Sequence, residues 1–402
     1  MSESFEQMWA ALAAVGRDPS TGGYRRGGWT PTERAATDWF TDQCAARDLT
    51  LESDGIGNLI AWWNPSSDVQ GVVTGSHLDS VLDGGAFDGP LGVVSALAAV
   101  DRLRAEGFEP SVPIGVGAFV EEEGSRFGMP CLGSRIATGV LPAAKALALQ
   151  DRAGVTLAHA LEQAGTDPAG VGPSPLLERM GTFVELHVEQ GRALTAPVGV
   201  ASSIWPHGRF RFTFTGEANH AGTTLMEDRH DPMLTYAMTA LAANKQARLA
   251  GARATFGRLA VEPNGTNAVP SVVTAWLDAR AASDDVLNQL LAAITRQATE
   301  RAERDGTSVE VVAESVSPIV DFPAGLRDRL AGVLDSVVGG APVLPTGAGH
   351  DAGVFSDAGI PTAMLFVRNP TGVSHSPAEH AEMDDCLAGV EALAAVLKDL
   401  AR

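Results

Sequence analysis

Residues 75–93 read GSHLDSVLDGGAFDGPLGV, and the pattern in and around this stretch indicates the fold class. The apolar run 72–76 leads into it and predicts a buried strand, while its glycines predict a tight turn. Residues 91–106 then show the period of a helix, with apolar side chains three and four positions apart. A strand followed directly by a helix is the repeating unit of an α/β sheet.

The same alternation continues on both sides of this stretch. Further strands are predicted at 59–63, 112–120, 183–187 and 362–367, and helices at 31–47, 156–164, 326–338 and 384–400. A Gly/Pro-rich stretch between 164 and 176 is typical of a surface loop. The sequence therefore predicts an α/β domain with a mixed sheet covered by helices.

The middle third of the chain has a different pattern. RFRFTFT at 209–215 alternates polar and apolar residues, as a half-buried strand does. The elements that follow are a helix at 232–250, strands at 254–261 and 272–279, a helix at 284–303 and a strand at 308–313. This β-α-β-β-α-β order predicts a smaller α+β domain of the split βαβ, ferredoxin-like type. We expect it at 204–317, inserted into a discontinuous main domain formed by 1–203 and 318–402.

Length and composition narrow the class of protein. The chain has 402 residues, more than one compact core usually holds, and 45% of them are apolar. Its formal net charge of −20 disfavours nucleic acid and anionic membrane surfaces as partners. The three cysteines lie far apart, there is no basic N-terminal leader, and no apolar run approaches a membrane span. We therefore expect a cytoplasmic protein with neither a nucleic-acid nor a membrane partner.

Histidines and carboxylates follow the predicted strands of the main domain. Open α/β sheets bind their ligands at the carboxyl ends of the strands. Imidazole and carboxylate together are the ligand set of a zinc or manganese hydrolase, and Asp88 is well placed to bridge two ions. The alternatives are a hydrogen-bonded histidine at a strand end and, for the glutamate triplet, a solvated turn. The candidates are His77, Asp79, Asp88, Glu121, Glu122, Glu123, His187, His375 and His380.

The inserted domain carries a second polar group. Its members are Asn219, His220, Arg229, His230, Asn267 and Arg280. Arg280 ends a strand, so its guanidinium either forms a surface salt bridge or binds a substrate carboxylate with two hydrogen bonds. We expect His159 and His207 at the surface, and GAGHDAG at 347–353 as a tight turn or a backbone lining of the site.

Five motifs in register resemble one known superfamily. They are GSHLDSVLDGGAFDG, EEEGSRFG, ELHVEQG, GEANHAGTT and GAGHDA…SHSPAE. Together they resemble the dinuclear metallohydrolases that include aminoacylases and zinc carboxypeptidases. More narrowly, they resemble the hydantoinase/carbamoylase branch: N-carbamoyl-L-amino acid hydrolases, allantoate amidohydrolases and β-ureidopropionases.

The resemblance implies a dinuclear metal centre. Two divalent ions per chain, Zn²⁺ or Mn²⁺ with Co²⁺ or Ni²⁺ also suited, would be held by His77, Asp88, Glu123, His187 and His375. Glu122 would be the general base, and Asp79 would orient the His77 imidazole. Peptidase relatives have a carboxylate where this chain has His187, which indicates the branch that cleaves ureido groups.

The resemblance also implies a substrate and an assembly. Gln190, His220, Asn267 and Arg280 would hold a small ureido substrate that carries a carboxylate, and the His220 side chain would stabilise the oxyanion. The inserted domain would act as a lid and as the contact of a homodimer. We expect a metal-bridged hydroxide to cleave the terminal carbamoyl C–N bond of allantoate, or of an N-carbamoyl-L-amino acid, releasing ammonia and CO2. Alternatives are an aminoacylase or dipeptidase of the same superfamily, and a non-catalytic binding protein. Glu121 and Leu225 depart from common family residues at positions that touch no ligand.

Overall fold

The computed structural model describes residues 3–65 and 69–402. The helices are α1 (Phe5–Ala13), α2 (Pro31–Ala45), α3 (Pro90–Ala105), α4 (Leu132–Ala137), α5 (Ala143–Leu147), α6 (Leu157–Ala164), α7 (Pro232–Ala250), α8 (Asp284–Asp305), α9 (Ala324–Val338), α10 (Asp351–Asp357) and α11 (Met383–Leu400). The strands are β1 (Thr50–Ser53), β2 (Leu59–Trp63), β3 (Gly71–His77), β4 (Ile114–Phe119), β5 (Met180–Val188), β6 (Val198–Ile204), β7 (His207–Thr215), β8 (Asn219–His220), β9 (Arg253–Glu262), β10 (Ala268–Val269), β11 (Val272–Arg280), β12 (Ser308–Ser317), β13 (Val320–Asp321), β14 (Val343–Thr346) and β15 (Thr362–Val367).

The chain forms two compact units. The larger contains the residues up to Ser203 together with Asp321–Arg402, and the smaller is Ile204–Val320. The larger unit is built on a nine-stranded mixed sheet in the order β1-β2-β4-β3-β5-β15-β6-β13, with β14 beside β6. Its central strands β4, β3, β5 and β15 run parallel, whereas β2 and β6 pair antiparallel with them. The predicted mixed α/β fold is therefore confirmed.

Helices cover both faces of this sheet. Successive residues of a strand point to opposite faces, and β5 shows the consequence. Val184 and Leu186 join the apolar core that contains α3 and α11. Phe183, which precedes Val184 and points to the opposite face, contacts Phe355 of α10 with ring centroids 5.0 Å apart. The central strands are thus buried on both faces, which holds their carboxyl ends in fixed positions.

The smaller unit is an antiparallel sheet with two helices. Its strands lie in the order β12-β7-β11-β9, and β8 pairs with β10 in a separate two-stranded ribbon. The alternation of β7 places Phe210, Phe212 and Phe214 in the core against α7 and α8. Both helices have side-chain N-caps, from Asp231 and Ser283, and end at a left-handed glycine. This is the split βαβ arrangement that the sequence predicts.

Several short elements were not predicted. β6, α1, α4 and α10 are among them, and the expected loop at 164–176 contains a 3₁₀ turn at Pro168–Gly170. Predicted and observed strands otherwise differ by a few residues at their ends; β3, for example, extends one residue further on each side. None of the described helices combines the length and the apolarity needed to span a bilayer.

Candidate metal centre

Four neighbouring parallel strands bring the predicted ligands to one edge of the large sheet. His77 is the last residue of β3, and its register partner Phe119 ends β4, just before the glutamate triplet. His187 lies one residue from the end of β5, and His375 is in the loop after β15. Because parallel strands end on the same side, residues far apart in sequence meet there.

Asp88 reaches the same edge from the turn before α3. The next residue, Gly89, is the N-cap of that helix and has a φ of 83°, a conformation that favours glycine. A Cβ atom at this position would collide with the His77 ring. The close approach of the turn to β3 therefore depends on the missing side chain.

The donor atoms form two groups that share Asp88. One group is His77, Asp88 and His187, and the other is Asp88, Glu123 and His375; within each, the atoms lie within 4.8 Å of one another. Asp88 Oδ1 is 3.5 Å from His77 Nε2 and 3.2 Å from His187 Nε2. Asp88 Oδ2 is 3.4 Å from His375 Nε2, which is 3.3 Å from Glu123 Oε2. Each oxygen of Asp88 thus faces one group, as a bridging carboxylate requires.

The unpaired nitrogens of the first group fit a metal ion. His77 Nε2 and His187 Nε2 are buried and have no hydrogen-bond partner. Their Nδ1 atoms lie 3.2 Å from the Asp79 carbonyl oxygen and 2.8 Å from the Val188 carbonyl oxygen, so each Nδ1–H donates there. The lone pair then resides on Nε2, facing the group. Tetrahedral N and O ligands at zinc stand about 3.3 Å apart, close to the separations found here.

The electrostatics of the site would attract a cation. Although burial opposes protonation, the nearby carboxylates of Asp79 and Asp88 raise the pKa of His77 well above its usual range. Burial, reinforced by the negative charge of Asp88, raises the pKa of Glu123 to about 7. Metal ions carry the same sign of charge as the protons that these groups retain. The residues present therefore fit a metal ion in each group.

Glu122 is buried beside the first group. Its Oε2 is 3.8 Å from His77 Nε2, and burial raises the pKa of its carboxyl group well above the usual range. The Asp79 carboxylate accepts the backbone amides of Glu122 and Glu123, both at 3.1 Å. It also lies 3.5 Å from His77 Nδ1. Asp79 thus fixes both glutamates as well as the imidazole, a larger role than the sequence predicted.

Glu121 and His380, two further candidates of the sequence analysis, belong to neither of the two metal groups. Glu121 turns its buried carboxylate the other way, where it accepts the amides of Gly28, Arg126 and Phe127 at 2.8 to 3.0 Å. It ties two loops together and is not a solvated residue. His380 is exposed and lies 3.2 Å from Glu382.

Three residues that the sequence analysis did not assign, Glu185, His350 and Ser374, lie beside His187 or Asp88, and Gln190, which it did assign, contacts Asp88. Glu185, His187 and His350 form a third buried group of possible donors, and the His187 and His350 rings are 4.5 Å apart. His350 belongs to GAGHDAG, where a histidine and an aspartate after two glycines were the available signal. Gln190 donates to Asp88 Oδ2 at 2.6 Å, and Ser374 does so at 3.2 Å.

The polar residues of the smaller unit occupy its ribbon and one end of its sheet. His220 Nδ1 accepts the amides of Gly222 and Thr223 at 3.0 and 3.2 Å, so its proton resides on the exposed Nε2. Asn267 is next to it, because its carbonyl oxygen accepts the Ala221 amide at 2.9 Å. Arg229 donates to the carbonyl oxygens of Ala221 and Thr224 and closes this loop.

Arg280 ends β11 and is already paired. Its Nε and Nη2 donate to the two carboxylate oxygens of Asp278 at 2.8 and 3.1 Å. Although burial acts in the opposite direction, these hydrogen bonds lower the pKa of Asp278. His207, expected at the surface, is half-buried at the register position opposite Arg280. A substrate carboxylate at Arg280 would therefore share the guanidinium with Asp278.

Residues 73–399 match the peptidase family M20/M25/M40. The chain is 38% identical to the N-carbamoyl-L-amino acid amidohydrolase of Geobacillus stearothermophilus, covering 96% of each chain. It is 31% identical to the allantoate amidohydrolase of Escherichia coli, covering 99% of this chain and 98% of that protein. The crystal structure of a hydantoinase/carbamoylase family amidase from Burkholderia vietnamiensis superposes with a TM-score of 0.89 at 30% identity, over 100% of this chain and 98% of that one.

Fold, donor set and relatives together define a metal-dependent amidohydrolase. The chain belongs to the peptidase family M20/M25/M40, whose members are hydrolases. The resemblance inferred from the five motifs is thereby confirmed.

Proposed function

We propose that this enzyme hydrolyses the terminal ureido C–N bond of an N-carbamoyl-L-amino acid or of allantoate, releasing ammonia and CO2. The observation that carries the proposal is the buried Glu122 carboxylate beside two donor groups that share Asp88. The names of the relatives support this substrate class, and the higher identity to the N-carbamoyl-L-amino acid enzyme favours that substrate over allantoate.

The donor groups would hold two divalent cations. His77 and His187 would bind one, Glu123 and His375 the other, and Asp88 both. When bound, such ions acidify water and polarise a carbonyl oxygen. Zn²⁺ and Mn²⁺ suit these imidazole and carboxylate ligands, as do Co²⁺ and Ni²⁺.

Glu122 would act first as the general base and then as the general acid. Its Oε2, the oxygen nearer His77, accepts a proton from the attacking water, and the raised pKa of this carboxyl group suits an acceptor near neutral pH. The same oxygen then donates that proton to the leaving nitrogen, which departs as ammonia. The carbamic acid left on the other nitrogen breaks its C–N bond to release CO2, and its proton passes to that nitrogen to give the free amine. Asp79 holds the Glu122 backbone throughout by accepting its amide.

Substrate contacts would come from Gln190 and from the smaller unit. His220 has its proton on Nε2, so it can donate to the oxyanion formed at the carbonyl carbon. Asn267 and Gln190 would orient the ureido group, and Arg280 would bind the carboxylate while keeping part of its contact with Asp278.

A substrate panel tests the proposal. We expect ammonia release from N-carbamoyl-L-amino acids or allantoate, with Mn²⁺ or Zn²⁺ added, to exceed amine release from N-acyl-amino acids and dipeptides.

A variant tests the assignment of the base. In Glu122→Gln, kcat should fall by about 10³-fold while metal content is retained. The matched control is Glu314→Gln, an exposed carboxylate paired with Arg211. Faster cleavage of ordinary amides would favour the aminoacylase alternative, and near-native kcat in Glu122→Gln would contradict the assignment of the base.

We also propose a homodimer formed through the smaller unit. Leu234, Met238 and Leu241 lie on one side of α7 and are 46%, 45% and 67% exposed. Apolar residues four and three positions apart form a stripe suited to a second copy. Light scattering should give twice the chain mass for the wild type and one chain mass for Met238→Glu. A monomeric wild type would contradict the dimer.

A cytoplasmic location completes the proposal. Cys44, Cys131 and Cys386 are free and buried, which suits a reducing compartment.

A further inference from the structure

Cys131 is held rigidly against the glutamate triplet. It precedes α4 in a left-handed backbone conformation, with a φ of 54°, and is 3% exposed. Three consecutive amides donate to three consecutive carbonyl oxygens: Cys131 to Glu122 at 2.6 Å, Leu132 to Glu121 at 3.1 Å and Gly133 to Val120 at 3.1 Å. A non-glycine residue in this conformation persists where the surroundings enforce it. The start of α4 therefore cannot shift relative to Glu122 without breaking all three bonds.

The Cys131 side chain contacts the carboxylate of Glu122. Sγ lies 3.3 Å from Glu122 Oε1, and both residues are buried. Burial, together with the nearby negative charge of Glu122, raises the pKa of the Cys131 thiol well above its usual range. The sulfur therefore keeps its hydrogen and donates it to Oε1.

The two oxygens of Glu122 consequently have different surroundings. Oε1 accepts from the thiol, whereas Oε2 is the oxygen that lies 3.8 Å from His77 Nε2. We propose that Cys131 is a positioning residue: by binding Oε1, its thiol holds the Glu122 carboxylate in one rotamer and directs Oε2 to the metal groups. This inference rests on the proposed role of Glu122 as the base.

The role of the thiol is one of orientation. It lies on the Oε1 side of the carboxylate, so a donor at this position disfavours rotation of the Glu122 side chain away from His77. The sequence assigned no function to Cys131, because a single cysteine without a partner motif gives no signal.

Three variants test the positioning role through the split between kcat and KM. In Cys131→Ala the carboxylate can rotate, and we expect kcat to fall about tenfold with KM changed less than about twofold, since one hydrogen bond is lost. Cys131→Ser restores a donor and should return kcat to within about threefold of the wild type. Cys386→Ala, which removes a buried thiol from α11 in the apolar core, is the control and should leave kcat unchanged. Metal content should stay constant in all three.

Unchanged kcat in Cys131→Ala would overturn the proposal. So would a Cys131→Ser enzyme as slow as Cys131→Ala, because packing alone would then explain the loss.

A vibrational measurement tests the contact without turnover. The infrared difference spectrum of wild type minus Cys131→Ala should contain an S–H stretching band at lower frequency than that of a free thiol. In Glu122→Gln this band should move towards the free-thiol frequency, because an amide oxygen is a weaker acceptor than a carboxylate. A band at the free-thiol frequency in the wild type would overturn the proposal. A shifted band in a wild type that cleaves no ureido substrate would instead contradict the proposed function.

Discussion

The metal groups of the larger unit and the polar groups of the smaller unit are built in opposite ways. His77, Asp88 and His187 are at most 5% exposed, and the two imidazoles are fixed by backbone carbonyls at the ends of parallel strands. His220 is exposed on a two-residue strand, and Arg280 donates to the neighbouring Asp278 carboxylate. The groups proposed to bind cations are thus preorganised, whereas the groups proposed to meet the substrate are half-buried in the case of Arg280 and exposed in the case of His220.

The largest expected effect concerns the residue shared by both metal groups. Asp88→Asn weakens both sites, so we expect metal analysis after dialysis to find almost no bound ion and no turnover. His375→Ala removes a ligand from one group only and should retain about one ion per chain. His380→Ala is the control, because this histidine is exposed and outside the groups. Equal metal loss in Asp88→Asn and His375→Ala would contradict a bridging role for Asp88.

A smaller effect is expected at the arginine of the other unit. Arg280→Ala should raise KM about 10- to 100-fold, since a charge-assisted contact to the substrate is lost, with metal content unchanged. Asp278→Asn weakens the competing pair and should lower KM a few-fold. Arg211→Ala, an arginine paired with Glu314, is the control. An unaltered KM in Arg280→Ala would instead support the alternative in which Arg280 only forms a surface salt bridge.

The smallest effect is an opposite response of the two units to pH. Burial raises the pKa of Glu33 in α2 to about 7, so its contribution to stability is greatest below its unfolded value of 4.5 and is lost as pH rises towards 7. The pKa of Asp278 is lowered, so its contribution is present above 3.8 and is lost as pH falls. Glu33→Gln should therefore raise the free energy of unfolding by about 1–3 kcal/mol at pH 8 and little at pH 4.

Asp278→Asn should show the reverse dependence. We expect it to lower the free energy of unfolding by about 1 kcal/mol at pH 7 and by less at pH 3. Thermal unfolding of both variants and the wild type at pH 4 and pH 8, with pH 3 added for Asp278→Asn, is the measurement. The same sign of pH dependence for the two variants would remove this contrast between the units.

The sequence predicts the metal site better than it predicts the surroundings of that site. His77 and His187 follow apolar strands whose pattern is strong, and parallel strands necessarily end together. Helix α10 is seven residues long and begins in a glycine-rich stretch, so local periodicity does not reveal it, and His350 was missed with it. Strand β6 has mixed small and polar residues and pairs with β15, a partner that local patterns do not indicate.

Contacts between distant residues explain the other omissions. The contact of Cys131 with Glu122 depends on a left-handed turn that no local residue preference demands. The Asp278–Arg280 pair could have been predicted from the sequence, because residues two apart on a strand share a face. The sequence cannot show, however, that the guanidinium binds this carboxylate and not one on another strand.

Replacing Gly89, which is not itself a metal ligand, is expected to disturb metal binding. Asp88, which both donor groups share, lies one residue before it, and the His77 ring occupies the volume that any side chain at this glycine would need. Even a single added methyl group would separate helix from sheet and pull the shared oxygen pair away from its partners. Metal retention by this enzyme therefore depends in part on Gly89, a residue that does not contact the metal.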